Sequence, residues 1–221
     1  KNKKIEKVKS ELVRSYASNG RYGAGVDIEE LIKPRNRIEI NIEVDEGESA
    51  KIKKIVIIGN ETYTDDELLD SFELAEGSFF SFLSSNNQYS REKLVGDIET
   101  LESYYRDRGF LKFSIESSQI SLSRDKKSIF ITYNINEGQK YTINDANVIG
   151  EIPFEEEIYI DIINNLKGQT YSQAQITGIE EFFVNVLGNR GYAFAEVSGD
   201  AEVINDTNEV KLTFSVVPGN K

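Results

Sequence analysis

Leu94-Val95-Gly96-Asp97-Ile98-Glu99-Thr100-Leu101-Glu102-Ser103-Tyr104-Tyr105-Arg106-Asp107-Arg108-Gly109-Phe110 carries a pattern that recurs along the chain. Leu94, Leu101 and Tyr105 stand seven and four residues apart, which is the spacing of one face of an amphipathic helix. Gly109 follows the last apolar position, where the end of a helix calls for a residue with positive φ. The same ladder occurs twice more at the same offsets. Ile5, Leu12 and Tyr16 lead to Gly20, and Ile176, Phe183 and Leu187 lead to Gly191. An aromatic residue follows each glycine within two positions: Tyr22, Phe110 and Tyr192. Self-similarity of this kind marks a repeat protein, so the chain reads as copies of one structural module.

A second glycine closes each copy: Gly47 and Gly138 in Glu-Gly pairs, and Gly219 after Pro218. These landmarks divide the 221 residues into 1–48, 49–139 and 140–221. In the middle repeat, Ile52 and Ile55-Val56-Ile57-Ile58 form a β-branched run that ends at Gly59 and predicts a largely buried strand. Thr64-Asp65-Asp66-Glu67 is a capping box ahead of a short helix. Ser90 caps the longer helix through Arg108, with Leu94, Ile98, Leu101 and Tyr105 on its buried side. Two strands then flank the polar turn Ser123–Lys127. The order is β-α-α-β-β. The third repeat reads the same way, whereas the first begins at its long helix and lacks a first strand and first helix.

Topology follows. Strands one and three run parallel because a helical hairpin joins them, and strand two is antiparallel to its hairpin partner, strand three. Strand three is therefore central. The fold class is α+β, each repeat a three-stranded mixed sheet covered on one face by two antiparallel helices. Alternation in Ile129, Ile131, Tyr133, Ile135, in Val210, Leu212, Phe214, Val216, and in Ile38, Ile40, Ile42, Val44 predicts one buried sheet face and one wet face.

Composition removes most chemistry. Cys, His, Met and Trp are absent from the chain, which excludes thiol nucleophiles, histidine bases, Ser-His-Asp triads and ordinary zinc, haem or iron–sulfur ligation. Catalytic, cofactor-binding and metal-binding residues are all expected to be absent. A net charge of −12 disfavours a nucleic-acid partner. No apolar run approaches the roughly 20 residues of a membrane helix. Lys1 stands where an initiator Met would, which suggests a processed or excised stretch. Glu155-Glu156-Glu157 suits a helix start, and Asn205-Asp206-Thr207-Asn208 suits a hairpin turn better than a calcium loop. No carboxylate is set in an apolar pattern that would raise its pKa.

What remains is binding. Strand two of the middle repeat changes phase: Leu111, Phe113 and Ile115 are odd-numbered, Ile120 and Leu122 even-numbered. A β-bulge around Ser117-Ser118 would restore the apolar face. The candidate partner edge is Lys112, Phe113, Ser114, Ile115, Glu116, Ser117 and Ser118. Its bulge either protects an exposed edge from aggregation or accepts an extended segment by β-augmentation. The middle repeat also carries a longer loop containing Phe79, Phe80 and Phe82, a possible partner contact that more readily closes a small core.

The ordered set Pro34-Arg35-Asn36-Arg37, Ile57-Ile58-Gly59-Asn60, Leu94–Leu101, Tyr104-Tyr105 with Asp107-Arg108-Gly109, and Asp125-Lys126-Lys127 resembles the polypeptide-transport-associated (POTRA) family over essentially the whole chain. The resemblance implies the second (partial), third and fourth of five tandem domains. It further implies a non-enzymatic periplasmic scaffold of a Gram-negative outer-membrane protein, with no cofactor. The expected partners are unfolded outer-membrane β-barrel proteins, accessory lipoproteins and a C-terminal membrane β-barrel of the same polypeptide. A related transporter dedicated to one secreted or autotransported partner is the alternative.

Overall fold

The computed structural model describes residues 2–35, 37–76, 87–204 and 207–221. The chain opens with helix α1 (Asn2–Ser18) and the hairpin β1 (Gly25–Lys33) and β2 (Arg37–Asp45). Strand β3 (Lys51–Ile58), helices α2 (Asp65–Leu69) and α3 (Arg91–Arg106), and strands β4 (Ser114–Leu122) and β5 (Ser128–Asn136) follow. Last come β6 (Thr142–Gly150), a single 3-10 turn (Glu156–Ile158), α4 (Ile160–Leu166), α5 (Gln173–Asn189), β7 (Glu196–Ile204) and β8 (Glu209–Val217). The two complete sheets have the order β3-β5-β4 and β6-β8-β7, with β3 parallel to β5 and β6 parallel to β8. The third strand of each repeat is central, as the connection argument requires.

The long helices terminate as their glycines predict. Gly20, Gly109 and Gly191 sit at φ of +77°, +106° and +94°. Arg21, Phe110 and Tyr192 each return an N–H to the carbonyl five residues back, on Tyr16, Tyr105 and Leu187, at 3.0–3.1 Å. This closing turn satisfies carbonyls that the helix end would otherwise orphan. At the start of α2 the capping box is complete: the Glu67 N–H donates to Thr64 Oγ1, and the Thr64 N–H donates to Glu67 Oε2.

Two compact units emerge, residues 1–100 with 115–135 and residues 101–114 with 136–221. In the first, Ile52, Ile55, Ile57, Ile129, Ile131 and Tyr133 are buried. The expectation of a largely buried first strand needs correction at Ile58, which is exposed along with Lys53 and Lys54. β3 is an edge strand with one face on the core, so the rest of its side chains turn outward. The β1–β2 hairpin departs further. Ile32 is 86% exposed, and Ile38, Ile40 and Ile42 are exposed as well. Its sheet has two strands, and the adjoining α1 supplies a single helix to cover it, so the predicted buried face is lost.

In the second unit, Tyr141, Ile143 and Ala146 of the β6 segment meet Val210, Leu212 and Phe214 of β8 under Ile163 and Leu166 of α4 and Ile176, Ile179 and Phe183 of α5. Each such large side chain contributes about 1.5–3 kcal/mol by leaving water. The end of α3 belongs here too. Tyr105 stacks on Phe113 at 4.3 Å and donates to buried Glu137 at 2.8 Å, and Gly109 O accepts from the Tyr141 N–H at 2.9 Å.

Candidate functional site

Each complete sheet has two edges, and on three of the four another part of the chain holds one or two backbone groups. On β3, Glu76 Oε1 takes the Ile55 N–H at 2.9 Å. On β6, Ile143 donates to Gln169 O at 2.8 Å and accepts from the Gly168 N–H at 2.7 Å. On β7, the Gly199 N–H donates to Glu180 Oε1 at 2.5 Å. Among the described residues, no side chain takes a backbone N–H of β4. That strand presents the open hydrogen-bonding row on which a further strand could form.

The structure divides the candidate edge residues. Ser114, Ile115, Glu116, Ser117 and Ser118 lie in β4. Lys112 and Phe113 precede it, with Lys112 Nζ 5.8 Å from the centre of the Tyr141 ring and Phe113 only 3% exposed. Ser117 Oγ accepts from Asn134 Nδ2 at 2.7 Å, so it shares a sheet face with Asn134 rather than with its buried neighbour Tyr133. Ser118 and Ile120 instead border a groove with Leu94 of α3. Phe113 faces α3 through Tyr105 just before the strand begins, whereas Ser118 and Ile120 within it border the groove. The even-numbered apolar positions are not buried: Ile120 is 40% exposed and Leu122 is 37% exposed. Phe79, Phe80 and Phe82 lie outside the described residues.

That groove holds about 400 Å³ between Arg14, Ala17 and Ser18 of α1, the loop residues Tyr22 and Tyr89, Arg91 and Leu94 of α3, and Ser118 and Ile120 of β4. The Tyr22 and Tyr89 rings stand 6.4 Å apart, and burial pushes both phenol pKa values further above the ordinary value, at which they are already neutral donors at neutral pH. The chain has no carboxylate among the lining residues, and neither arginine has an ion-pair partner among the described residues. Sequence reasoning missed this site because α1 comes from a different repeat. A signal existed all the same: Arg91 places a cation in the first turn of a helix, against the macrodipole.

One carboxylate overturns the expectation that none has a raised pKa. Asp97 is 1% exposed, and burial holds its carboxyl above the ordinary range despite two backbone donors. Those donors are the Glu73 N–H at 2.7 Å and the Leu74 N–H at 3.1 Å, one to each carboxylate oxygen. Both oxygens are thus engaged in holding a turn, the work of a structural group. Among the described residues, no cluster of three acidic, His or Cys side chains could hold a metal, and no helix is long and apolar enough to cross a membrane.

Repeated mixed sheets covered by helices define a tandem α+β module, and comparison gives the module its family. The sequence model of the POTRA family, described as the surface antigen variable number repeat, matches residues 1–47, 50–138 and 141–219. The chain belongs to the POTRA family. It is 28% identical over 211 residues to the outer membrane protein assembly factor BamA of Neisseria meningitidis serogroup B, covering 95% of this chain and 26% of that protein. It is 26% identical over 201 residues to BamA of Buchnera aphidicola, covering 91% of this chain and 33% of that protein. The chain therefore spans a quarter to a third of these relatives. Among solved structures, Haemophilus influenzae BamA POTRA3-5 superposes with a TM-score of 0.66 at 23% identity, covering 77% of this chain and 67% of that one, which shows the shared fold.

Proposed function

We propose that the chain is a non-enzymatic periplasmic scaffold that holds unfolded outer-membrane proteins for assembly, as the names of its relatives suggest. Clients pair by β-augmentation along β4, starting within the stretch Lys112–Ser118 at Ser114 and continuing to Leu122. The edge of β4 carries this reading: among the described residues no side chain takes one of its backbone N–H groups, whereas β3, β6 and β7 each have at least one outward backbone group held by the chain. Main-chain pairing supplies affinity that does not depend on client sequence, which suits a receiver of many barrels. The modules are residues 1–48, 49–139 and 140–221, counted as the second (in part), third and fourth of five. Accessory lipoproteins dock on the same arm, and a membrane β-barrel of the same polypeptide anchors it at the outer membrane.

A backbone-amide NMR titration with a peptide from the last strand of an outer-membrane barrel tests the proposal. Shifts concentrated at residues 114–122 are expected. Saturation with shifts on helix faces or at β7 alone would remove β4 as the client edge.

A further inference from the structure

The groove beside β4 departs from the charge of the whole chain. Acids outnumber bases 38 to 26, yet the groove has two arginines and no acid among its described lining residues. Neither arginine serves an internal ion pair among the described residues. Arg91 also stands where helix stability favours the opposite charge. The third repeat uses uncharged Gln173 at the equivalent place, eighteen residues before the helix-ending glycine. A residue held against local stability at the rim of a binding groove is the pattern of a functional position.

An extended peptide paired to β4 points alternate side chains to the same sheet face, so every second residue lies over the groove. Those residues would meet Arg14 and Arg91 beside an apolar and aromatic floor of Tyr22, Tyr89, Leu94 and Ile120. Resting on the reading of β4 as the client edge, we propose that Arg14 and Arg91 make this edge selective for extended segments that carry carboxylates at alternate positions. The backbone supplies generic pairing, and the two guanidinium groups rank the clients. Guanidinium suits this task because its planar donors match a carboxylate in two-point contact.

Three labelled ten-residue peptides test this on the 221-residue chain, with Thr and Val on one face and Glu, Gln or Lys at every second position. Fluorescence anisotropy would give the affinities and NMR the place of binding. The Glu peptide is expected to bind about three- to twentyfold tighter than the Gln peptide, as two partly exposed charge pairs allow. The Lys peptide should bind weakest, and raising the salt should narrow the gap. The double variant R14Q/R91Q should lose the preference while keeping the affinity for the Gln peptide. Both side chains are exposed, so folding should survive, which circular dichroism checks. Equal Glu and Gln affinities at β4, or a preference that survives R14Q/R91Q, would overturn the selectivity and leave edge pairing intact. No β4 shifts with any peptide would overturn both.

Discussion

Aligned on their helix-ending glycines, the middle and third repeats share a fold and differ at a few telling positions. Where the third has Gln173, Ile179 and Gly199, the middle has Arg91, Asp97 and Ser117. In the third repeat Gln173 accepts from the Tyr171 hydroxyl, and the other two serve packing. Ile179 joins the core, and Gly199 lets β7 approach α5 so closely that Glu180 takes its N–H. The ladder of β7 with β8 runs unbroken from Glu196 to Ile204. The middle repeat instead buries a carboxylate, places a cation at a helix start and turns Ile120 and Leu122 into partial exposure. Local rules that agree with the fold give a stable module, and departures from them gather where a module does something else.

The largest difference between the two repeats in stability is expected at Asp97. Asp97→Ala leaves two backbone N–H groups without their acceptor, and a loss of about 2–4 kcal/mol is expected in urea unfolding. Asp97→Asn keeps one acceptor oxygen and should lose about half as much. The pH dependence has a definite sign. Because burial raises the folded pKa above the unfolded one, the folded chain holds the proton across the window between them. Stability of the wild type relative to Asp97→Asn should therefore fall as pH rises through that window, then level off. Asp125 and Asp145 run the other way, held low mainly by hydrogen bonds from Ser123 and Lys167 respectively, and lose their contribution as pH falls. A wild-type advantage that grew with pH would show that Asp97 is not the buried, charge-disfavouring group described here.

Next in size is Gly199→Ser, which gives the third repeat the residue of the middle one. A Cβ at Gly199 would lie 2.6 Å from Ile176 Cγ2 and 3.0 Å from the Phe214 ring. Crowding of this kind costs about 1–3 kcal/mol. The reverse change, Ser117→Gly, removes the hydroxyl that receives Asn134 and should cost about 1 kcal/mol. If both substitutions proved neutral in thermal unfolding, the two edges would be interchangeable and their difference would teach nothing.

Much of the fold was legible because glycine positions and apolar spacing are local signals. Gly20, Gly109 and Gly191 marked the helix ends, and Ile129, Ile131 and Tyr133 marked the inward face of the central strand. The sequence overreached at Phe113, which continues the strand's alternation but packs on Tyr105 before the strand begins. It also placed no carboxylate in an apolar setting, although Asp97 sits one residue from Ile98 on the helix and is the more buried of the two. Helical spacing ranks residues by polarity and cannot see that two backbone N–H groups of a distant turn await an acceptor. The groove was invisible for a similar reason: Arg14 and Arg91 stand 77 positions apart in different repeats.

The smallest effect separates folding from function most cleanly. Arg91→Gln takes a cation away from the positive end of α3 and copies the third repeat, so the chain should gain about 0.3–0.5 kcal/mol. The same change should weaken the Glu peptide and spare the Gln peptide, because one of two guanidinium partners is gone. Stability and binding then move in opposite directions from a single exposed side chain, which no purely structural role for Arg91 would produce. Were the variant less stable, Arg91 would be serving the fold. The middle repeat would then differ from the third by its buried carboxylate and its edge alone, with β4 taking clients by backbone pairing without regard to their charge.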